Sequence, residues 1–389
     1  MSTTPAPISP ADAGNAPHNA PASTADFSTP LLRFLHAIPK VELHCHLLGT
    51  VREATFLEWT RQTAARTGAA APLSEEEARA FYVRGEKPVG VLKALRALDA
   101  FLITRPDDLH RLVYEYLEDA AAHHIRHAEF FWNPTGTAQE SGIAYPRALE
   151  AIVRAIHDAR VDFDIQGWLI AAIDRQAPPQ AAVEMAEWVV AHRREEVLGI
   201  GIDYNEVDHP PEWFAPAYAL ARKAGLKTTA HAGEFGMPWV NVQTAVDLLQ
   251  VDRIDHGYTV TAPPEDESAS AADFVARCAE RGIVFTVVPT NSYYLRTLPK
   301  ERWAIDHPIR RMPGLGLRIH PNTDDPTLHK VTPTGAWHMM VRDFGFSVDD
   351  LRGFMMNGLD GAWMDESQRR QWRQEFGAAF DQLRAAHQV

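Results

Sequence analysis

The chain has 389 residues, long enough for one large barrel or two ordinary domains, and its 46% hydrophobic, 23% charged composition is that of a soluble globular protein. A formal net charge of −13 makes nucleic-acid backbones and anionic membranes poor partners, because both call for a basic surface. Two cysteines, Cys45 and Cys278, cannot build a disulfide framework and suit a reducing, cytoplasmic compartment; no apolar run approaches the ~20 residues of a membrane helix.

In chain order, residues 1–30 come first. They carry no Lys or Arg, and Met1, Ile8 and Phe27 are their only large apolar residues. A signal peptide needs a basic start and an apolar centre, so this Pro/Ala/Ser/Thr-rich stretch reads as a disordered tail. From residue 31 onward the chain reads as a single domain. Its candidate strands are VELHCHL (41–47), RHAEFFW (126–132), FDIQGWLIAAI (163–173), VLGIGIDY (197–204), KTTAHAG (227–233), DRIDHGY (252–258), IVFTVVP (283–289) and LRIHPNTDD (317–325). Most are short and rich in Val, Ile and Phe, as buried parallel strands are.

Amphipathic helical patterns separate them. RPDDLHRLVYEYLEDAAAHH (105–124) places Leu109, Leu112, Val113, Tyr116 and Leu117 on one face. Eight strands alternating with helices predict an α/β fold, a (β/α)8 TIM-type barrel. One connection is unusually long. Between the first and second strands, residues of about 52–104 read as helices and predict a helical cap over one barrel mouth. The C-terminal stretch 366–388 reads as a final charged amphipathic helix.

Chemistry concentrates at the strand ends. In a strand, residues i and i+2 face the same side, so His44 and His46 can present two nitrogens to one ion while Cys45 points away. An HxH pair alone is a weak signal. HAGE (231–234) closes the fifth strand, His256 the sixth, and Asp324 and Asp325 the eighth. In a (β/α)8 barrel these C-terminal ends form the active-site face. His44, His46, His231 and Asp324 supply three imidazoles and one carboxylate, a donor set that suits one zinc ion. His123 and His124 sit at a helix end, where a histidine simply complements the dipole.

HxH near the N-terminus, then HAGE, DHGY and NTDDP in that order, resembles the adenosine deaminase family of zinc hydrolases along nearly the whole chain after residue 38. The resemblance implies a barrel with one Zn²⁺ per chain, held by His44, His46, His231 and Asp324, that hydrolytically deaminates a small 6-aminopurine: adenosine, adenine or a substituted analogue. Zinc lowers the pKa of bound water to about 7. Attack on the carbon bearing the amine is easier if an acid protonates the adjacent ring nitrogen. Glu234 is the candidate, and burial has to keep it protonated. His256 is placed to orient or deprotonate the attacking water. Asp325 is placed to face the ring nitrogens of the substrate.

The pattern departs from the family at three places, all bearing on the pocket. Leu48 stands where the family has an acidic residue before glycine, one thought to bind a sugar hydroxyl; Leu48 is therefore a candidate substrate contact of a different kind. GIDYNEVDHPP has no glycine between Tyr204 and Pro211, and Val288 replaces a cysteine in VVPTNS. Other readings are an amidohydrolase acting on another amine-bearing heterocycle and a non-catalytic purine-binding barrel. A two-metal amidohydrolase typically has a bridging lysine near the end of the fourth strand, and VLGIGIDYNEV has none. Nothing in the sequence indicates an oligomeric state.

Overall fold

The structure, a computed structural model, describes residues 27–68, 73–81 and 91–389. Eight strands, β1 (Lys40–Glu42), β2 (Ile125–Trp132), β3 (Gln166–Asp174), β4 (Val197–Asp203), β5 (Lys227–Ala232), β6 (Arg253–His256), β7 (Val284–Val287) and β8 (Arg318–Pro321), form one parallel sheet in sequence order. Beyond the regular ladders, the first and last strands also meet. Cys45 bridges Asp324; His46 N–H donates to the Asp324 carbonyl at 2.8 Å, and Asp324 N–H to the His44 carbonyl at 3.0 Å. One rung uses a side chain instead of a carbonyl, since Leu43 N–H donates to Asn322 Oδ1 at 2.9 Å. This arrangement is consistent with the expected (β/α)8 TIM-type fold.

The expected strands run past the observed ones at their C-terminal ends. DRIDHGY stops at His256 and LRIHPNTDD at Pro321. At β6 the cause is local: His256 has φ of 67°, a left-handed value that ends a strand and that a non-glycine residue adopts at a cost of about 1–3 kcal/mol. Past Pro321 the rung to Leu43 is made by the Asn322 side chain, and the chain meets the first strand again at Asp324.

Helices pack outside the strands. Pro106–Ala122 buries Leu109, Leu112, Val113, Tyr116 and Leu117, the expected stripe. Its start is secured by Asp108, which accepts from the N–H of Thr104 and of Arg105, each at 2.9 Å. The last helix, Glu366–His387, sets Phe380 edge-on against Phe34 of the first, Pro30–Ala37, with ring centres 5.0 Å apart. The tail expected over residues 1–30 lies outside the described residues up to position 26. Residues 27–30 belong to the fold: Phe27 is buried on His36, and Thr29 Oγ1 accepts from Leu32 N–H. Between β1 and β2 stand Glu53–Thr67, Glu75–Phe81, Val91–Ala97 and a wider π turn, Leu98–Leu102. No described helix is long and apolar enough to cross a membrane.

The barrel interior is layered. On its floor, Arg253 of β6 meets Glu129 of β2, Nη1 to Oε2 at 2.5 Å, both fully buried. A buried ion pair needs its remaining valences filled. Glu129 Oε1 accepts from His127 Nε2 and Trp363 N–H, while Arg253 donates to the carbonyls of Leu43 and Gly361. Above this lies Phe131, with Ile170 and Ala172. Gly201 makes its room, because an added Cβ there would come within 2.7 Å of the Phe131 ring. Phe131 in turn stacks beneath His46 at 5.0 Å. His44 and His231 also meet the Phe131 ring edge-on, at 5.4 and 5.3 Å.

Candidate metal and catalytic site

The strand continuations bring His44, His46, His231 and Asp324 together. One ligand atom from each lies within 4.8 Å of all the others. Asp324 Oδ1 is 3.4 Å from His44 Nε2 and 3.2 Å from His46 Nε2, and His46 Nε2 is 3.1 Å from His231 Nε2. The same-side reasoning for His44 and His46 therefore holds, and buried Cys45 has no place in the cluster.

The far side of each ring indicates which nitrogen carries a proton. Thr286 Oγ1 donates to Asp255 Oδ1 at 2.7 Å, so it accepts from His44 Nδ1 at 3.0 Å. His231 Nδ1 faces Asp255 Oδ2 at 3.3 Å, and His46 Nδ1 faces Asp203 Oδ2 at 3.3 Å. With all three Nδ1 atoms turned to an acceptor, the three Nε2 atoms converge on one point. Burial opposes the charged form of His46, but Asp203 and Asp324 outweigh it and raise His46 well above the ordinary histidine value, so a bound metal there takes the place of a proton. His44 Nε2 is buried and makes no hydrogen bond of its own. Burial, with the neighbouring His44 second, lowers His231 to about 4, which keeps its imidazole neutral. Buried lone pairs converging beside one carboxylate fit a single zinc ion.

Two side chains expected to act beside the metal are here as well. Glu234 is buried; its Oε1 accepts from Asn291 Nδ2 at 2.8 Å, and its Oε2 lies 3.5 Å from His256 Nε2. Burial first, then the charge of Asp324, raises Glu234 well above the usual carboxylate range. Burial and the neighbouring His44 and His231 hold His256 well below the ordinary histidine value. Asp325 is buried, with Oδ2 3.9 Å from His329 Nε2. Gly49 makes room for Asp325, since a Cβ on Gly49 would overlap its carboxylate. Leu48 is 3% exposed, on a short 3-10 turn, Leu47–Thr50.

Several residues of this site were not singled out from sequence. Asp255 serves both His44 and His231, and Asp203 serves His46. Asp203 is the one charged residue of an otherwise apolar strand, costly to bury unpaired, and that cost was the available signal; Asp255, between Ile254 and His256 in a short polar strand, offers no such contrast. Glu206 is different. It is 1% exposed and accepts from the N–H of Gly233 at 3.0 Å, of Glu234 at 3.2 Å, and from Asn241 Nδ2 at 2.9 Å. On the other side of the same turn, Arg175 Nη1 donates to the His231 carbonyl at 3.0 Å. No motif announces either residue. Val288 contributes through its backbone: its N–H donates to Tyr258 Oη at 2.8 Å, and that hydroxyl stands 3.4 Å from His256 Nδ1. His123 and His124 lie away from the site; His123 pairs with Thr334 at a helix end, as expected of structural histidines.

Known proteins share this plan. The adenosine deaminase family model matches residues 39–378. The adenine deaminase of Albidiferax ferrireducens is 31% identical over 353 residues, covering 90% of this chain and 96% of that protein. That of Vibrio parahaemolyticus is 28% identical over 340 residues, 87% and 95% of the two chains. Among solved structures, an amidohydrolase from Burkholderia ambifaria with bound zinc is 57% identical, with a TM-score of 0.87 over 95% of this chain and 97% of that one. The adenine deaminase of Arthrobacter aurescens is 27% identical, with a TM-score of 0.75 over 88% and 99%. A family match over most of the chain, together with these relatives, agrees with the donor cluster and the buried acid described above. The chain belongs to the adenosine deaminase family.

Proposed function

We propose that the chain is a zinc-dependent hydrolytic deaminase of a 6-aminopurine, with adenine or a substituted adenine, either without ribose, as its preferred substrate. His44, His46, His231 and Asp324 hold the zinc, which when bound supplies the Lewis acidity that brings a water into reach of ionisation near neutral pH. Residues 31–389 act as one catalytic domain, and the helices within 52–104 cover its mouth. The two buried, unpaired thiols suit a cytoplasmic protein.

The chain's own groups do the rest. Glu234, kept protonated by burial, gives its proton to the ring nitrogen beside the amine-bearing carbon. His256, kept neutral, takes the proton of the attacking water. Asp325 accepts from a ring N–H of the purine and fixes its orientation. Water and the aminopurine become an oxopurine and ammonia. Leu48 presents an apolar surface where a ribose hydroxyl needs a polar partner, which favours the free base.

The observation that carries this reading is Glu234, a buried carboxyl 3.5 Å from His256 beside a four-donor cluster. The test is a panel of adenine, adenosine, N6-substituted adenines and other aminated heterocycles, assayed for ammonia release and ultraviolet change. Adenine is expected to lead. No ammonia from any member, by zinc-loaded protein, would sink the reading.

A further inference from the structure

We infer that Asn291 is a positioning residue that decides which oxygen of Glu234 carries the transferable proton. Asn291 is fully buried and precedes the short helix Ser292–Thr297. Its Oδ1 accepts from the N–H of Tyr293 at 3.1 Å and of Tyr294 at 3.3 Å. These two donors fix the amide, because a flipped amide would aim its NH2 at two N–H groups. Nδ2 is thereby turned the other way, onto Glu234 Oε1 at 2.8 Å. The turn after Glu234 leans on the same helix: an added Cβ at Gly236 would collide with Tyr293 Oη.

In a carboxylic acid, the oxygen that accepts an N–H is the carbonyl oxygen; the hydroxyl oxygen is the poorer acceptor. The proton of Glu234 therefore sits on Oε2, the oxygen that faces His256 Nε2 at 3.5 Å. It leaves Oε2 for the ring nitrogen, while Oε1 stays bonded to Asn291. Without the Asn291 N–H, either oxygen can hold the proton and the carboxyl is free to turn. A misplacement on the order of 1 Å can cost ~10²-fold in rate.

The proposal rests on Glu234 being the acid. Asn291 also caps a helix, so the test separates the two roles. Serine and aspartate are both good caps but bring no amide N–H to Glu234. Zinc-loaded Asn291→Ser and Asn291→Asp are expected to stay folded with wild-type zinc content, at a Tm lowered by no more than several degrees, while kcat for adenine falls at least about tenfold. KM is expected to stay within roughly threefold. Either variant retaining kcat within roughly threefold would leave Asn291 a helix cap and overturn the proposal. Loss of zinc and of Tm in both would assign it to the fold and overturn it equally. An active Glu234→Gln would instead strike the acid assignment itself; an inactive Glu234→Gln beside active Asn291 variants strikes this inference alone.

Discussion

Glu206 grips the backbone of Glu234: its Oε2 accepts the Glu234 N–H at 3.2 Å while its Oε1 takes the N–H of Gly233. One carboxylate thus holds the turn between His231, the proposed metal ligand, and Glu234, the proposed acid. Glu206→Ala leaves two buried N–H groups without an acceptor, at about 1–3 kcal/mol each. It is expected to lower Tm by several degrees and kcat more than it raises KM. Thermal melts with steady-state kinetics check this. An unchanged kcat would show that the turn holds its shape unaided.

Glu234→Gln keeps the shape of the side chain and removes its proton. General acid–base groups typically contribute ~10²–10⁴-fold, and a loss in the upper part of that range is expected with zinc content unchanged. Retention of roughly a tenth of wild-type turnover would move the acid role to another residue.

Protein purified without added zinc is expected to carry one equivalent per chain, since the cluster offers one set of four donors. Binding to the native state alone stabilises it, by about 4 kcal/mol at a free concentration a thousandfold above Kd. Chelation is therefore expected to lower Tm as well as abolish turnover. Metal analysis giving two equivalents, both needed for activity, would end the mononuclear reading.

Leu48→Asp is expected to raise kcat/KM for adenosine relative to adenine by roughly tenfold or more, the worth of one satisfied polar contact. If the ratio between the two substrates does not move, Leu48 packs under the helices and does not read the substrate.

Asp99, in the π turn, is 1% exposed, accepts from Thr137 Oγ1 at 2.9 Å and is raised by burial to about 7. Its folded value lies above its unfolded one. Its contribution to stability is therefore full below about pH 4 and lost as pH rises through about 7, worth at most about 4 kcal/mol. Asp99→Asn keeps the acceptor for Thr137 and removes the titration. The Tm of the variant relative to wild type is expected to rise between pH 4 and pH 8. A constant difference across that range would show that Asp99 does not titrate there.

Strand composition, alternating helices and the HAGE and NTDDP stretches made the architecture and the donor set readable, because period-2 and period-3.6 patterns and metal-donor types are local properties. Strand ends were read too far. At His256 the chain abandons strand geometry, and after Pro321 a side chain takes over the rung to the first strand, and no propensity encodes either. Asp203 was visible as an acid in an apolar strand and Asp255 was not, and the partners of both are set by the register between strands. Glu206 and Asn291 reach Glu234 by hydrogen bonds across 28 and 57 positions, distances at which sequence pattern carries no information.

The meeting of Cys45 with Asp324 has a consequence for synthesis. The ribosome releases His44 early and Asp324 roughly 280 positions later, a gap of roughly a quarter of a minute to a minute at ~5–20 residues per second. Until the eighth strand docks on the first, the nascent chain owns three histidines without their carboxylate and a sheet with two open edges. On the proposed ligand set, full-strength zinc capture belongs to the finished barrel alone, so the metal would act as a seal on completion, and a ribosome stalled before Asp324 would leave a chain that cannot be sealed.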